Sequence, residues 1–175
     1  MSLKMAVLAL LDVEPGSGYG LLQRFRNSVG FFWQTTHQQL YKELHGLLDE
    51  GLVDCLDVPQ AGKPDKKVYT LNRAGGSELD ALLAQAASAG KIRDPLLVKL
   101  FAGRRLPREE LLAELARHRQ QHEQTLATYR QLWQAIEAMP AAKRARYHFP
   151  AHTLRFGIMY EETWLTWCDG VMAEL

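Results

Sequence analysis

The stretch 35-TTHQQLYKELHGLLDEGLV-53 decides how this chain folds. Leu40, Leu44, Leu47 and Leu48 recur at helical spacing and mark one apolar face. His37, Gln38, Tyr41, Lys42 and His45 fall on the other face and supply donors, acceptors and one fixed positive charge. Thr36 with Gln39 fits a capping box, in which the Thr oxygen takes an orphan N–H and the Gln reaches back to the cap. Gly51 is a helix stop, and Leu52 and Val53 open a β-like run. One flank of such a helix buries in a core and the other stays free for hydrogen bonding. Taken alone the pattern also suits an ordinary amphipathic surface helix, so its neighbours must decide.

Upstream, residues 3–11 read as a short helix with Leu3, Ala6, Val7, Leu10 and Leu11 on one side, broken by Glu14-Pro15-Gly16. Ser17 can cap a second helix whose inner face is Gly18, Leu21, Leu22, Phe25 and Val29. Gly30, Phe31, Phe32 and Trp33 form the connection to the decisive helix. Three short helices with apolar inner faces predict a helix-turn-helix core. Downstream, residues 52–58 and 66–71 are β-like and residues 59–65 carry turn chemistry, so a hairpin is expected. Lys63, Lys66 and Lys67, opposed only by Asp65, make its tip basic. Ammonium groups there would meet phosphates and release counterions without reading sequence. Equally, lysines keep a hairpin soluble and discourage edge pairing.

The segments Ser17-Gly-Tyr-Gly-Leu, Gln39-Leu-Tyr-Lys-Glu-Leu, Leu48-Asp-Glu-Gly-Leu-Val and Val68-Tyr-Thr-Leu-Asn-Arg-Ala-Gly75 follow one another in the order seen in PadR-type transcriptional regulators, and residues 3–85 resemble that family. Tyr19, Tyr41 and Tyr69 stand where the family places tyrosines. The chain departs from it at Lys42, where a Pro often follows the helix-three tyrosine, and in a more modest basic cluster at the wing. The resemblance implies a winged-helix DNA reader with a helical C-terminal region that builds a dimer.

Composition bounds the possibilities. The 175 residues are 47% hydrophobic with a formal net charge of +1, enough for one sizeable domain or two small ones and too balanced for a global field. No run of about 18 apolar residues predicts a membrane span, and the N-terminus lacks a signal-peptide pattern. Cys55 and Cys168 are then expected as reduced thiols in a cytoplasmic protein. Residues 1–87 hold 8 Lys or Arg and 10 Asp or Glu, a net of −2. DNA binding must therefore rest on local patterning. Asp49, Glu50, Asp54 and Asp57 are expected to point away from Lys42 and the wing.

In the second half, Asn72 can cap a helix reaching about Ala89, and Asp94-Pro95 opens a short helix, PLLVKLF. Residues 108–139 form one long helical pattern ended by Pro140. Its seven-residue series mix Leu111, Leu115, Leu132 and Trp133 with His118, His122 and Arg119, so it is no strict coiled-coil seam. Residues 152–175 form a last helix, apolar around most of its circumference, that must be covered on more than one side. Leu154, Ile158, Leu165, Cys168 and Met172 make one row, expected at a dimer interface. Phe156, Tyr160, Trp164, Trp167 and Val171 make another. These helices resemble the virulence-activator-like C-terminal region of the same family.

For DNA the candidates are Tyr19, Thr35, Thr36, His37, Gln38, Tyr41 and Lys42, with Lys63, Lys66 and Lys67 at the wing. The start of a recognition helix reaches base edges, Gln pairs with adenine and Lys with guanine. Tyr19 reads either as a phosphate contact or as a packing residue, and Tyr69 as an internal support of the wing. Phe32, Trp33, Trp133, Tyr160, Trp164 and Trp167 either line a cavity for a small aromatic or hydrophobic effector or simply fill the dimer core. His118 and His122 stand four apart, but no Cys, Asp or third His is near them and Glu123 falls elsewhere on the helix, so no metal site is expected. Neither a cofactor nor catalysis is expected. There is no HExxH and no nucleophile elbow, and Gly16-Ser-Gly-Tyr-Gly20 opens a helix without a preceding strand.

The sequence thus predicts a mainly α chain: a winged helix-turn-helix domain of three helices plus a two-stranded wing over residues 1–89, and a helical dimerisation and effector domain over residues 90–175. The expected function is a homodimeric repressor that binds double-stranded DNA at an inverted-repeat operator, with no membrane partner. The alternative is a winged-helix protein-interaction module without DNA binding.

Overall fold

Capping chemistry sets most of the helix boundaries. The computed structural model describes residues 3–31, 33, 35–60, 63–87, 90 and 93–175, omitting the side chains of residues 31, 60 and 63–65. Its elements are α1 (Leu3–Val13), β1 (Gly16–Ser17), α2 (Gly18–Arg26), α3 (His37–Asp49), β2 (Val53–Gln60), β3 (Lys63–Leu71), α4 (Arg73–Leu83), α5 (Pro95–Phe101), α6 (Arg108–Glu137), α7 (Ala141–Arg146) and α8 (His148–Glu174). Single 3-10 turns lie at Val29–Phe31 and Gly103–Arg105. Ser17 accepts from Gly20 N and Asn72 from Gly75 N, so two expected caps are in place, and Asp94 caps α5 by accepting from Leu96 N. The fold is mainly helical with a small antiparallel sheet, and the chain divides into two compact units, Met1–Ser88 and Ala89–Leu175.

In the first unit Val7, Leu8, Leu21, Leu40, Leu44 and Leu47 are fully buried with Phe25, Val53 and Tyr69. Leu79 of α4 closes this core. Gly51, at φ +70, ends α3 in a Schellman turn: Leu52 N donates to Leu47 O at 2.9 Å and Gly51 N to Leu48 O at 3.0 Å. The chain passes directly from α3 into β2.

The sheet has three strands, not two, in the order β1-β3-β2. Gly16 and Ser17 pair with Tyr69 and Val68, because the backbone at the Ser17 cap is extended (φ −74, ψ 160). The hairpin is also longer than expected. Gln60 pairs with Lys63, so most of the anticipated loop belongs to the ladder, with a register shift between Val58 and Gln60 where Pro59 sits. Proline has no N–H to donate and is tolerated at a bulge or on an outer strand, and β2 is one.

Three helical boundaries also differ. The fourth helix stops at Leu83 instead of reaching Ala89; only Gly75 and Leu79 are buried on it, so its Ala-rich continuation has no core to bind. The last helix begins at His148 rather than 152, with Pro150 in its first turn, where no intrahelical N–H bond is lost. The segment between Pro140 and His148, unassigned from sequence, is the helix α7.

In the second unit Leu96, Leu111, Leu115, Trp164 and Cys168 form the core. The helices α6 and α8 run antiparallel: Arg119 meets Asp169 at 2.6 Å and, further along, Arg130 meets Glu162 at 2.8 Å. Both cysteines are free thiols. Among the described residues no helix is long and apolar enough to cross a membrane.

A Cβ placed on Gly75 would sit 2.0 Å from the carbonyl oxygen of Leu52, backbone that cannot turn aside. Gly75→Ala should therefore destabilise the protein by about 1–3 kcal/mol, read as a lower midpoint in thermal or denaturant unfolding.

Candidate nucleic-acid interface

The start of α3 is built as its sequence dictates. Gln39 N donates to Thr36 Oγ1 at 3.2 Å and Thr36 N to Gln39 Oε1 at 2.9 Å, a complete capping box. With Leu40, Leu44 and Leu47 at 0% exposure, the opposite flank is turned out, and His37, Gln38, Lys42 and His45 are exposed. Thr36 is exposed but its oxygen is committed to the cap, and Thr35 is half-buried.

Tyr41 differs from its neighbours on this flank. Its ring lies against the bare α-carbon of Gly18, where a Cβ would fall 2.7 Å from Tyr41 Cε1, and His37 packs on it with ring centroids 4.3 Å apart. It is half-buried and serves the contact between α2 and α3 as well as the surface. Tyr19, in the first turn of α2, is 66% exposed, and its hydroxyl accepts from Gln23 Nε2 at 3.1 Å. Tyr69 is buried under the sheet; burial, with the neighbouring Cys55, Tyr41 and Asp57, pushes its phenol above its ordinary value.

In the wing Lys66 and Lys67 are exposed, but as successive strand residues they leave opposite faces. Lys67 stands directly across from Asp57 and Lys66 across from Val58. Lys63 is paired in the ladder with Gln60, and its side chain lies outside the described residues. Two of the acids that follow α3 are occupied elsewhere. Glu50 binds Lys4 of α1 at 2.5 Å, and Asp54 accepts from Asn72 at 3.3 Å. Asp57 departs from expectation: cross-strand partners share a face, so it lies beside Lys67 and offsets part of the wing's charge.

The aromatic residues of the second unit considered for an effector divide between its core and a separate cleft. Phe32 lies outside the described residues, and Trp33 packs against the first core. Trp164 and Trp167 belong to the second core with an edge contact of 5.5 Å, and Tyr160 is half-exposed on α8. Trp133 lines a separate cleft with residues of α7 and the start of α8. The row assigned to a dimer interface is likewise largely consumed at home. Leu154 and Cys168 are buried, and Leu165 and Met172 pack on the second core, because this stripe of α8 faces α6. Ile158 is half-buried.

Sequence reasoning overlooked Glu161. It is 6% exposed, hydrogen-bonded through Oε2 to His122 Nδ1, and His122 stacks on Trp164 with centroids 3.6 Å apart. His122 is thus held inside its own unit. The signal was present: Glu161 is seven residues after Leu154 and seven before Cys168, on the buried stripe.

The profile of the "Transcriptional regulator PadR-like family" matches residues 7–81, and that of "Virulence activator alpha C-term" matches residues 92–175. A probable transcriptional regulator of Mycobacterium tuberculosis is 32% identical over 100% of this chain and 98% of its own length. The chain belongs to the PadR-like family of transcriptional regulators. PadR, a negative transcriptional regulator of Bacillus subtilis, is 30% identical over 98% of this chain and 96% of its own. Its crystal structure in complex with operator DNA superposes with a TM-score of 0.81 at 26% identity, covering 98% of this chain and 96% of that one. A second structure of it, with p-coumaric acid, gives a TM-score of 0.74 at 24% identity, covering 98% and 94%. The PadR-like fold is therefore that of winged-helix regulators, and the family is not one of enzymes.

Two outcomes test this description. Thr36→Ala should cost about 1 kcal/mol by removing the cap of α3, measured by denaturant unfolding. Burial and then Glu161 push the Tyr129 phenol up to about 12 from 10.0. The folded state holds that proton more tightly than the unfolded chain, so the associated stability is complete below pH 10 and is lost as pH rises from 10 towards 12. Tyr129→Phe should flatten the fall in unfolding free energy over that window.

Proposed function

We propose that this chain is a homodimeric repressor that reads an inverted-repeat operator in double-stranded DNA and is released by a small aromatic or hydrophobic effector. The observation that carries the reading is the two-sided α3: three leucines wholly buried, and His37, Gln38 and Lys42 exposed at its opening turns. The first turn of such a helix is what enters a major groove. Gln38 offers a bidentate amide to adenine and Lys42 a donor to guanine or phosphate. The wing adds Lys63, Lys66 and Lys67 as backbone contacts, and Tyr19 and Thr35 flank them. The operator complex of the Bacillus subtilis relative and its description as a negative regulator support the same assignment.

In this reading residues 1–89 contact DNA and residues 90–175 hold the dimer. The surface available for a second copy is the exposed apolar row of α8, Phe149, Phe156, Met159 and Tyr160, with Leu97, Val98 and Phe101 of α5. Phe101 is 96% exposed, which a lone chain in water gains nothing from. A two-fold dimer would set its α3 helices about 34–36 Å apart, or a multiple of that, and so call for an inverted repeat. Effector release is supported by the p-coumaric acid complex of the relative.

The net −2 charge of residues 1–87 favours one rival, an interaction module on a winged-helix scaffold. Fluorescence anisotropy on DNA from the protein's own upstream region, at two salt concentrations, separates them. The regulator should prefer that DNA over scrambled duplex and weaken with salt. Gln38→Ala should cost about 1–3 kcal/mol and relax the base preference, whereas Lys66→Ala should lower the salt slope by about 1. Equal, weak binding to every duplex rejects the regulator.

A further inference from the structure

One contact at the opening of α3 has no part in that reading. His37 is the first helical residue, directly after the Thr36 cap. Its imidazole lies on the Tyr41 ring with centroids 4.3 Å apart and planes inclined by 33°. Tyr41 has little room to give way beneath it. A Cβ on Gly18 would fall 2.7, 2.8 and 2.9 Å from Cε1, Cζ and the hydroxyl oxygen of Tyr41, so one edge of that ring rests on backbone. Three layers result: backbone, phenol and imidazole. Tyr41 is half-buried, whereas His37 is exposed. Among the described residues neither ring nitrogen of His37 has a hydrogen-bond or ion-pair partner. Gln38 and Lys42, exposed on the same flank, are long chains that must give up rotamers to make a contact.

A side chain that is exposed, unpaired and yet held in one orientation loses little freedom when a partner arrives. The partner at the first turn of such a helix is the edge of a base pair. An imidazole carries at least one N–H in either charge state, and its two nitrogens diverge, so it cannot donate and accept side by side as an amide does. Adenine sets N7 beside an amino donor and suits the amide. Guanine sets N7 beside O6, two acceptors between which one N–H can be shared. We propose that His37 is a specificity-determining residue that donates to N7 of one guanine in each operator half-site, with O6 as its second acceptor, and that Tyr41 is the positioning residue that aims it. Tyr41 then acts on sequence preference through the ring stacked on it, without touching the base. This role rests on the regulator reading above and adds to it the base that is read.

Fluorescence anisotropy of the full-length protein on its upstream duplex tests it, with each guanine of the bound site replaced in turn by 7-deazaguanine, which lacks N7. At one guanine per half-site the replacement should weaken the parent about tenfold. His37→Ala, at an exposed position, should keep the parent melting temperature, bind the unmodified duplex about tenfold more weakly and be indifferent to that one replacement. Tyr41→Phe keeps the stack and should discriminate like the parent. Tyr41→Leu keeps an apolar filler over Gly18 without a ring face. It should lose discrimination at that guanine and respond to every other replacement as the parent does, a pattern that loss of folded protein would not give. The guanine contact is rejected if no replacement couples to His37→Ala, and the positioning role if Tyr41→Leu still discriminates there. A parent that prefers no duplex rejects the regulator reading and this role together. A parent that prefers its own DNA, with no coupled guanine, rejects this role alone.

Discussion

A tyrosine ring resting on a bare backbone fixes the first unit. Tyr41 lies where a side chain on Gly18 would have been, so α2 and α3 approach as closely as a ring and an α-carbon allow. That contact sets the rotation of α3 about its own axis. Leu40, Leu44 and Leu47 then point into the core together, and His37, Gln38 and Lys42 have no course but outward. The Schellman turn at Gly51 transmits the setting to the sheet, since β2 begins two residues later and its partner β3 carries Tyr69 back beneath the helices. The exposed flank of α3 is a consequence of packing rather than a feature added to it.

Charge in this unit is organised by pairing more than by total. Glu50 is drawn back to Lys4 and Asp54 to Asn72, away from the first turn of α3. Asp57 stays with the wing, opposite Lys67. An overall excess of acid is thus compatible with a locally basic surface, and Lys66, on the other face of the hairpin, keeps its charge unopposed across the strand by Val58. In the second unit the same principle runs the other way, with 23 consecutive residues free of acid around one cleft.

Local chemistry was legible in the sequence and long-range pairing was not. Thr36 with Gln39, Ser17, Asn72, Asp94 and Gly51 each act within four residues of themselves, and each does in space what its spacing implies. The strand at Gly16–Ser17 escaped because its partner is some fifty residues away, and a two-residue strand has no periodicity to show. The wing was read too short because Pro59 and Gly62 signal a turn, whereas a bulge let the ladder run through the proline. The tryptophans could be counted but not gathered: nothing in their spacing says that Trp164 belongs to a core and Trp133 to a cleft. Glu161 was passed over because a carboxylate on an apolar stripe is more readily assigned to solvent than to a histidine 39 residues upstream.

That buried acid has a mechanical consequence. Leucine contacts between two antiparallel helices are nearly interchangeable, so α8 could slide by a turn along α6 at modest cost. Glu161 removes that freedom, because a slip of about 5.4 Å would strand a carboxylate in an apolar seam and uncouple His122 from its partner and from the indole beneath it. The pair works as a detent. Forces applied at one end of the two helices must therefore travel as the tilt of a stiff lever, and not dissipate as sliding between them.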